Sequence, residues 1–258
     1  MGTYMKKTIL ITGASSGIGE SCARKLAQKG HRLILAARRT DRIQSLSNEL
    51  SAFTDVFPLS LDVRNREQVM QSIHQLPQLW QQIDVLINNA GLAVGLGAVH
   101  EGIPDDWDRM IDTNIKGVLH VLRAVTPGMI ERQSGQIINV SSIASKEVYP
   151  SGNVYCGTKH ALDAITQSIR MELLPYHIRV TSIHPGMVET EFSLVRYKGD
   201  SQRADAVYSQ VMPLKADDVA DVIIYSIELP SHVSLHEAVI MPSAQAGVRM
   251  VRKMDGSI

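Results

Sequence analysis

The sequence predicts an α/β fold: a parallel sheet of about seven strands with helices on both faces. Three observations carry this. Short runs rich in Val, Ile and Leu recur along the whole chain, and helical patterns fill the gaps between them. Several runs are continuously apolar rather than alternating, which suits strands covered on both faces. Strand–helix alternation implies a parallel sheet. Right-handed crossovers then favour a doubly wound arrangement.

The expected strands are residues 8–12, 33–37, 56–61, 83–88, 136–141, 179–184 and 238–241. In the first helical gap Ile18, Cys22 and Leu26 recur at four-residue spacing and make one buried face. No linker, low-complexity tract or repeat interrupts the pattern, so residues 1–258 are expected to form a single domain. The least regular part is 189–213, polar with weak helical periodicity. A segment that follows a strand's carboxyl end lies near the ligand crevice of an open α/β sheet. It is a candidate lid over a substrate; the alternative is a solvated pair of surface helices.

Composition narrows the function classes. The 258 residues are 44% hydrophobic, enough for one large core. Lys+Arg and Asp+Glu both number 26, so the balance points to neither a nucleic-acid nor an anionic-membrane partner. Cys22 and Cys156 allow one disulfide on count. So few cysteines in this length instead suggest a reduced, intracellular chain, with both thiols acting as small apolar residues in helices. The first strand begins before any apolar run long enough for a signal peptide. Lys6 breaks the myristoylation pattern. No stretch approaches the roughly 20 apolar residues of a membrane span. The expected compartment is the cytoplasm. The sequon at Asn139 lies in an expected buried strand and is discounted.

After the first strand comes TGASSGIG, residues 12–19. Gly13 permits a tight turn, Gly17 lets backbone approach a pyrophosphate, and Gly19 lets the helix pack close to the sheet. The helix beginning near Ile18 presents free N–H groups and a positive dipole end to phosphate. Ser15 and Ser16 add hydroxyl donors. Such a turn can also serve packing alone; its place between first strand and first helix points instead to a dinucleotide site in a Rossmann-type doubly wound fold. The second strand ends in LAARRTD. A dinucleotide fold that prefers NAD usually carries a carboxylate there for the ribose 2′-hydroxyl. Here Ala37 is followed by Arg38 and Arg39, which suit a 2′-phosphate. Each charge-assisted bond is worth roughly 1.5–3 kcal/mol, so the expected cofactor is NADP rather than NAD. The alternative is that both arginines are solvated residues starting a surface helix. Asp62 and Val63 end the third strand, where Asp62 suits an adenine amino group. Asn89, Ala90 and Gly91 follow the fourth, with Gly91 allowing close backbone approach; for Asn88 and Asn89 a simple turn is the alternative.

A helical pitch puts Tyr155 and Lys159 on one face, one turn apart. Thirteen residues before Tyr155 stands Ser142, at the end of the fifth expected strand. Strand ends at this edge face the crevice, so a hydroxyl, a phenol and an ammonium can converge there. Asn114 is a possible fourth member. A Y-x-x-x-K spacing alone is more often packing or surface; the glycine turn, Ser142 and Asn114 argue for chemistry.

TGASSGIG, NNAG, Asn114, Ser142, Tyr155-x-x-x-Lys159 and HPGMVET stand in the order and spacing of the short-chain dehydrogenase/reductase family, which the chain resembles over essentially its whole length. Within it, LAARRTDRI, LDVRNRE, NNAGLAVG, MIDTNIKG, GNVYCGTKHA and EFSLVRYKGD resemble the bacterial NADP-dependent 3-hydroxy acid dehydrogenases, which act on serine-like and 3-hydroxy acid substrates. Lys146 and Glu147 stand where small or apolar residues are expected, and so bear on substrate choice.

The resemblance implies roles. Tyr155 is the acid/base. Lys159 lowers its pKa and holds the nicotinamide ribose, and Ser142 polarises the substrate oxygen. Asn114 supports a water path from Lys159 to solvent. Pro185, Gly186, Val188 and Thr190 bind cofactor, the last two at the nicotinamide carboxamide. A fixed ammonium about 6 Å away, at an effective dielectric of about 20, favours phenolate by roughly 3 kcal/mol. For substrate, Ser142 and Tyr155 are joined by Arg196 in the candidate lid, a natural fork for a carboxylate, with Lys146 as competitor and surface solvation as the alternative for both. The resemblance also implies a homodimer or homotetramer. Alternatives left open are a reductase of neutral ketones or other carbonyls, and an NADP(H)-sensing protein without turnover.

Overall fold

The computed structural model describes residues 6–209, 211–252 and 254. The extreme N-terminus read above for a leader lies outside the described residues, as does Gln210 of the 189–213 segment. The chain runs β1 (Thr8–Thr12), α1 (Gly17–Gln28), β2 (Arg32–Ala37), α2 (Thr40–Leu50), β3 (Val56–Ser60), α3 (Arg66–His74) and β4 (Val85–Asn88). It continues with α4 (Pro104–Ile111), α5 (Val118–Glu131), β5 (Gly135–Val140), α6 (Asn153–Leu173) and β6 (Ile178–Pro185). It closes with β7 (Val188–Glu189), α7 (Phe192–Arg196), α8 (Ser201–Ala206), β8 (Leu214–Lys215), α9 (Ala216–Glu228) and β9 (Glu237–Ile240). Among the described residues, no helix is long and apolar enough to cross a membrane.

Seven strands form one sheet in the order β3-β2-β1-β4-β5-β6-β9, with every pairing parallel. Their bounds fall within two residues of the expected ones. The pleat sends alternate residues to opposite faces, and both faces are covered. Ile9, Ile11, Leu33 and Leu35 meet Cys22 and Leu26 of α1 and Ile223 of α9. Leu10, Ile34, Leu86, Ile137 and Val180 meet Val121 and Val125 of α5 and Leu162 of α6. Each such large side chain contributes about 1.5–3 kcal/mol by leaving water. This two-sided burial is why the strands read as apolar runs.

Sequence order reverses between β1 and β4, which lie side by side while β2 flanks β1 on its other edge. In open α/β sheets a ligand crevice opens at the carboxyl ends of such strands. The loops after β1, β4, β5 and β6 all emerge there. Two features were not foreseen. β7 and β8 form a separate two-stranded parallel ladder, too short to leave a period in the sequence. Between α4 and α5, Asp112–Gly117 is π-helical, a single-turn bulge of the kind that often marks a functional site.

Candidate active site

A cavity of about 850 Å³ opens along the carboxyl edge of the sheet. At one end lie Gly13, Ser15, Ser16, Gly17 and Ile18 after β1, Arg38 and Arg39 after β2, and Asp62 and Val63 after β3. In the middle lie Asn89, Ala90 and Gly91 after β4. At the other end Ser142, Tyr155 and Lys159 meet Pro185, Gly186, Val188, Thr190 and Arg196. Gly19 and Asn114, both singled out in the sequence, stand behind the cavity wall rather than on it.

The glycine turn is shaped from behind. Gly13 and Gly17 have positive φ, +67° and +55°, where side chains are strained. A Cβ on Gly19 would collide with the Gly13 carbonyl and the Asn89 amide. Asn89 Nδ2 donates to the carbonyls of Thr12 (3.0 Å) and Gly13 (3.2 Å). Ser16 caps α1 in position but makes no side-chain capping bond. Instead Arg39 Nη2 donates to Ser16 Oγ (2.6 Å) and Arg39 Nε to Ser15 Oγ (3.1 Å). Arg39 Nη1 and Arg42 Nη1 both donate to Glu191, each at 2.7 Å. Glu191 thus ties the 189–213 segment to the arginine end, and the paired guanidinium groups hold its carboxyl below the usual range. Asp62 is gripped by Arg64 through Nε and Nη2, which likewise lowers its pKa.

At the far end Ser142 follows β5 and starts a short 3₁₀ turn, its Oγ accepting from the Ala144 N–H at 3.1 Å. Its proton is thereby left to point away from that bond. Tyr155 and Lys159 share a face of α6, and Lys159 Nζ stands 5.9 Å from the Tyr155 ring centroid. Lys159 Nζ donates to the Val140 carbonyl at 3.1 Å. Burial pushes its pKa down to about 8. A Cβ on Gly91 would lie 3.3 Å from Asn114 Oδ1 and 3.6 Å from Lys159 Nζ, so glycine keeps those two groups close.

A family profile described as short chain dehydrogenase matches residues 7–199. The chain belongs to the short-chain dehydrogenase family. It is 42% identical over 239 residues to the NADP-dependent 3-hydroxy acid dehydrogenase YdfG of Salmonella typhi, covering 92% of this chain and 96% of that protein. It is 44% identical over 248 residues to the NADP-dependent 3-hydroxy acid dehydrogenase of Schizosaccharomyces pombe, covering 95% and 96%. Among solved structures, the closed form of a serine dehydrogenase complexed with NADP+ superposes with a TM-score of 0.89 at 41% identity, covering 93% of this chain and 96% of that one.

In this short-chain dehydrogenase two expectations need correction, for Tyr155 and Lys146, and a third residue, Asn114, has a structural part as well. The Tyr155 phenol is not lowered: burial raises it above the ordinary tyrosine value, opposed first by the Ser142 hydroxyl and then by Arg196. The ring is buried against Leu92, Val94 and Ala144, and taking a phenolate out of water outweighs the neighbouring charge. Lys146 does not line the cavity; its ammonium bridges Asp163 and Glu237, each at 2.9 Å. Asn114, in the π-helical turn, spends its amide on structure. Oδ1 accepts from the Leu92 N–H (2.9 Å), and Nδ2 donates to the Leu92 carbonyl (2.8 Å) and Thr158 Oγ1 (3.1 Å).

Other residues at the site escaped the sequence reading. Tyr149 accepts from Arg196 Nη2 at 2.7 Å. Tyr208 donates to the Val188 carbonyl at 2.9 Å and meets Ser193 Oγ at 2.6 Å. Glu191, Phe192 and Arg249 also line the cavity. Tyr149 lies only six residues before Tyr155, in the loop entering α6, and that proximity was the one available signal.

Proposed function

We propose that the chain is an NADP-dependent oxidoreductase that transfers a hydride between nicotinamide and a secondary alcohol or carbonyl, with 3-hydroxy acids or serine-like compounds as its substrate class. One observation carries this: a single cavity has an arginine–serine end and an end where Ser142, Tyr155, Lys159 and Arg196 converge. The names of its relatives agree with it.

The residues fit the dinucleotide. Gly13 and Gly17 leave backbone bare at the N-terminus of α1, and a Cβ on Gly17 would come within 3.2 Å of the Thr190 methyl. Ser15, Ser16, Arg38 and Arg39 offer donors for phosphate, Asp62 and Val63 a polar and an apolar edge for a base. Asn89, Ala90, Gly91, Pro185, Gly186, Val188 and Thr190 would line the remainder, with Lys159 and Tyr155 against the nicotinamide ribose. NADP, when bound, supplies or accepts the hydride.

The side chains handle the oxygen and its proton. Ser142 Oγ–H donates to the substrate oxygen and polarises it. Tyr155 Oη passes its proton to that oxygen in reduction and recovers it in oxidation. Its raised pKa keeps the phenol protonated, the state needed to neutralise a nascent alkoxide. Lys159, as ammonium, stabilises negative charge on that phenol. Asn114 acts by holding Leu92 against Thr158, which fixes the loop that carries Gly91; a water path beside it remains part of the proposal.

Arg196 recognises the substrate carboxylate. Its guanidinium carbon lies 5.3 Å from the Tyr149 ring centroid, and its Nε is buried with no hydrogen-bond partner among the described residues. The segment 189–213 acts as lid, fastened by Gly95 N–H to the Arg196 carbonyl (3.0 Å) and by Lys198 to Asp106 (2.6 Å). Residues 1–258 are read as one domain. Leu119, Met171 and Val239 expose apolar surface on α5, α6 and β9, which supports a homodimer or homotetramer. Two free, buried cysteines support a cytoplasmic setting.

The test is a spectrophotometric panel of 3-hydroxy acids, 3-oxo acids and neutral ketones with both nicotinamide cofactors. Turnover of L-serine or 3-hydroxypropionate with NADP is expected. Turnover of neutral carbonyls alone would replace the substrate class. Tight NADPH binding without any turnover would replace the activity by nucleotide sensing.

A further inference from the structure

Behind Ser142, on the side away from the cavity, lies a buried polar cluster that the proposed chemistry does not use. Ser145, at the end of the 3₁₀ turn, donates to the Ser142 carbonyl through its N–H (2.9 Å) and its Oγ (2.7 Å). The same Oγ stands 2.8 Å from Nδ1 of His184, a fully buried residue of β6. On its other side His184 Nε2 faces Asp163 Oδ1 of α6 at 3.7 Å. The other Asp163 oxygen accepts from Lys146 (2.9 Å) and Gln167 (3.2 Å), and Lys146 continues to Glu237 on β9.

Hydrogen counting leaves two arrangements of the protons. A serine hydroxyl has one hydrogen. The 2.7 Å contact gives it to the Ser142 carbonyl, and in that arrangement Ser145 Oγ is an acceptor for an N–H on His184 Nδ1; the opposite arrangement would put the hydroxyl hydrogen on a bare Nδ1 and the ring proton on Nε2. Burial first, and then the Lys146 ammonium, lower the imidazole pKa, so at neutral pH the ring carries one proton. In the first arrangement Nε2 is then a bare lone pair facing a carboxylate oxygen. That accounts for the 3.7 Å gap and for why both atoms lack a hydrogen-bond partner among the described residues.

We propose that His184, as its Nδ1–H tautomer, is a positioning residue for Ser142, acting through Ser145 to hold the backbone of the 3₁₀ turn so that the Ser142 hydroxyl faces Tyr155. The proposal rests on the catalytic reading of Ser142. The ring donates into the turn and receives nothing in return from Asp163, so its orientation is set by Ser145 and Ser142. Lys146 and Glu237 complete the charge balance around Asp163 and keep that carboxylate from competing for the ring.

The experiment uses the full chain in four variants. His184→Leu is expected to lower kcat by roughly tenfold or more, the scale of a displaced reacting group, with KM and the Kd for NADPH within about threefold. His184→Asn, whose amide can place an N–H near the Nδ1 position, is expected to restore most of kcat. Ser145→Ala is expected to reproduce the kcat loss and covers the case in which the leucine variant does not fold. Nitrogen-15 NMR of histidine-labelled protein, with His184 assigned by difference from the asparagine variant, is expected to show a protonated Nδ1 and a bare Nε2. A proton on Nε2, or kcat within twofold of wild type in Ser145→Ala, overturns the proposal. Equal kcat loss in the leucine and asparagine variants does so as well. Ser142→Ala separates the two readings: if it keeps full activity, the catalytic assignment of Ser142 fails and takes this inference with it. If it is inactive while folded His184→Leu and Ser145→Ala are unimpaired, only this inference fails.

Discussion

The Arg196 guanidinium carbon lies 5.5 Å from the centroid of the Tyr155 ring, so the 189–213 segment sets a positive charge directly beside the phenol of α6. Tyr149 holds that charge from the other side. A fork so fixed loses little entropy on meeting a carboxylate. Arg196→Ala should lower kcat/KM for a 3-hydroxy acid by about 10- to 100-fold, the worth of one charge-assisted contact. A neutral secondary alcohol should lose less than about threefold. Initial rates on the two substrates decide; equal losses on both would sink the carboxylate role.

Tyr149→Phe keeps the ring and removes the acceptor for Arg196 Nη2. It should reproduce the same substrate-selective loss at a smaller scale, about fivefold, as expected for about 1 kcal/mol. A loss on the neutral alcohol of equal size would mean that Tyr149 serves packing instead.

The Lys159 pKa of about 8 makes a pH prediction. Below that value the group is an ammonium; above it the charge is gone. Carbonyl reduction should therefore decline as pH rises through about 8, read as a limb in the pH profile of kcat/KM. A decline only near pH 10, the ordinary lysine range, would place the controlling group elsewhere. The same shift carries a stability consequence of opposite sign. Because the folded-state pKa lies below the unfolded value of 10.5, the buried ammonium destabilises the fold below about pH 8, and that penalty fades as pH rises toward 10.5. Lys159→Met should abolish turnover yet raise stability at pH 7 by on the order of 1–3 kcal/mol, measured by urea unfolding.

Arg38→Asp puts a carboxylate at the cavity's arginine end. It should swing the ratio of Kd values for NADP and NAD by at least roughly tenfold toward NAD, since a charge-assisted contact is exchanged for a repulsion. Fluorescence titration of both cofactors checks this, and an unchanged ratio would move the 2′-phosphate site away from Arg38.

Asn114→Ala would leave the buried N–H and carbonyl of Leu92 without their partner. At about 1–3 kcal/mol for an unsatisfied buried group, the variant should lose on the order of 2–4 kcal/mol of stability. Thermal unfolding with and without NADPH tests it. Full stability with lost activity would instead favour a direct part in the proton path.

The sheet was legible because parallel strands buried on both faces leave continuous apolar runs, and Ile9 to Ile11 shows why: neighbours point to opposite layers and both layers are dry. The residues on the cavity wall were legible wherever a strand end or a helix pitch fixes the direction of a side chain, as for Ser142 and Lys159. What failed was long-range. Nothing in the sequence near Lys146 announces that Asp163 and Glu237 draw its ammonium off the site. Nothing near Asn114 announces a π-helical turn whose amide is consumed by Leu92. The Tyr155 pKa was misjudged because charge spacing follows from helix geometry, whereas desolvation depends on residues such as Leu92 and Val94 that arrive from another loop.

The bond from Asn89 to the Gly13 carbonyl has a consequence for the order in which the chain can mature. The turn after β1 is the first part of the cavity to be synthesised, yet its shape is clasped by a residue after β4, which must slot in beside β1 on the edge opposite β2. Until residue 89 has emerged and that strand has docked, the nascent chain has glycines but no cradle. Stabilisation by a bound nucleotide acts only on a formed site. During synthesis, then, even abundant cofactor can do nothing for a chain that has not yet completed its fourth strand.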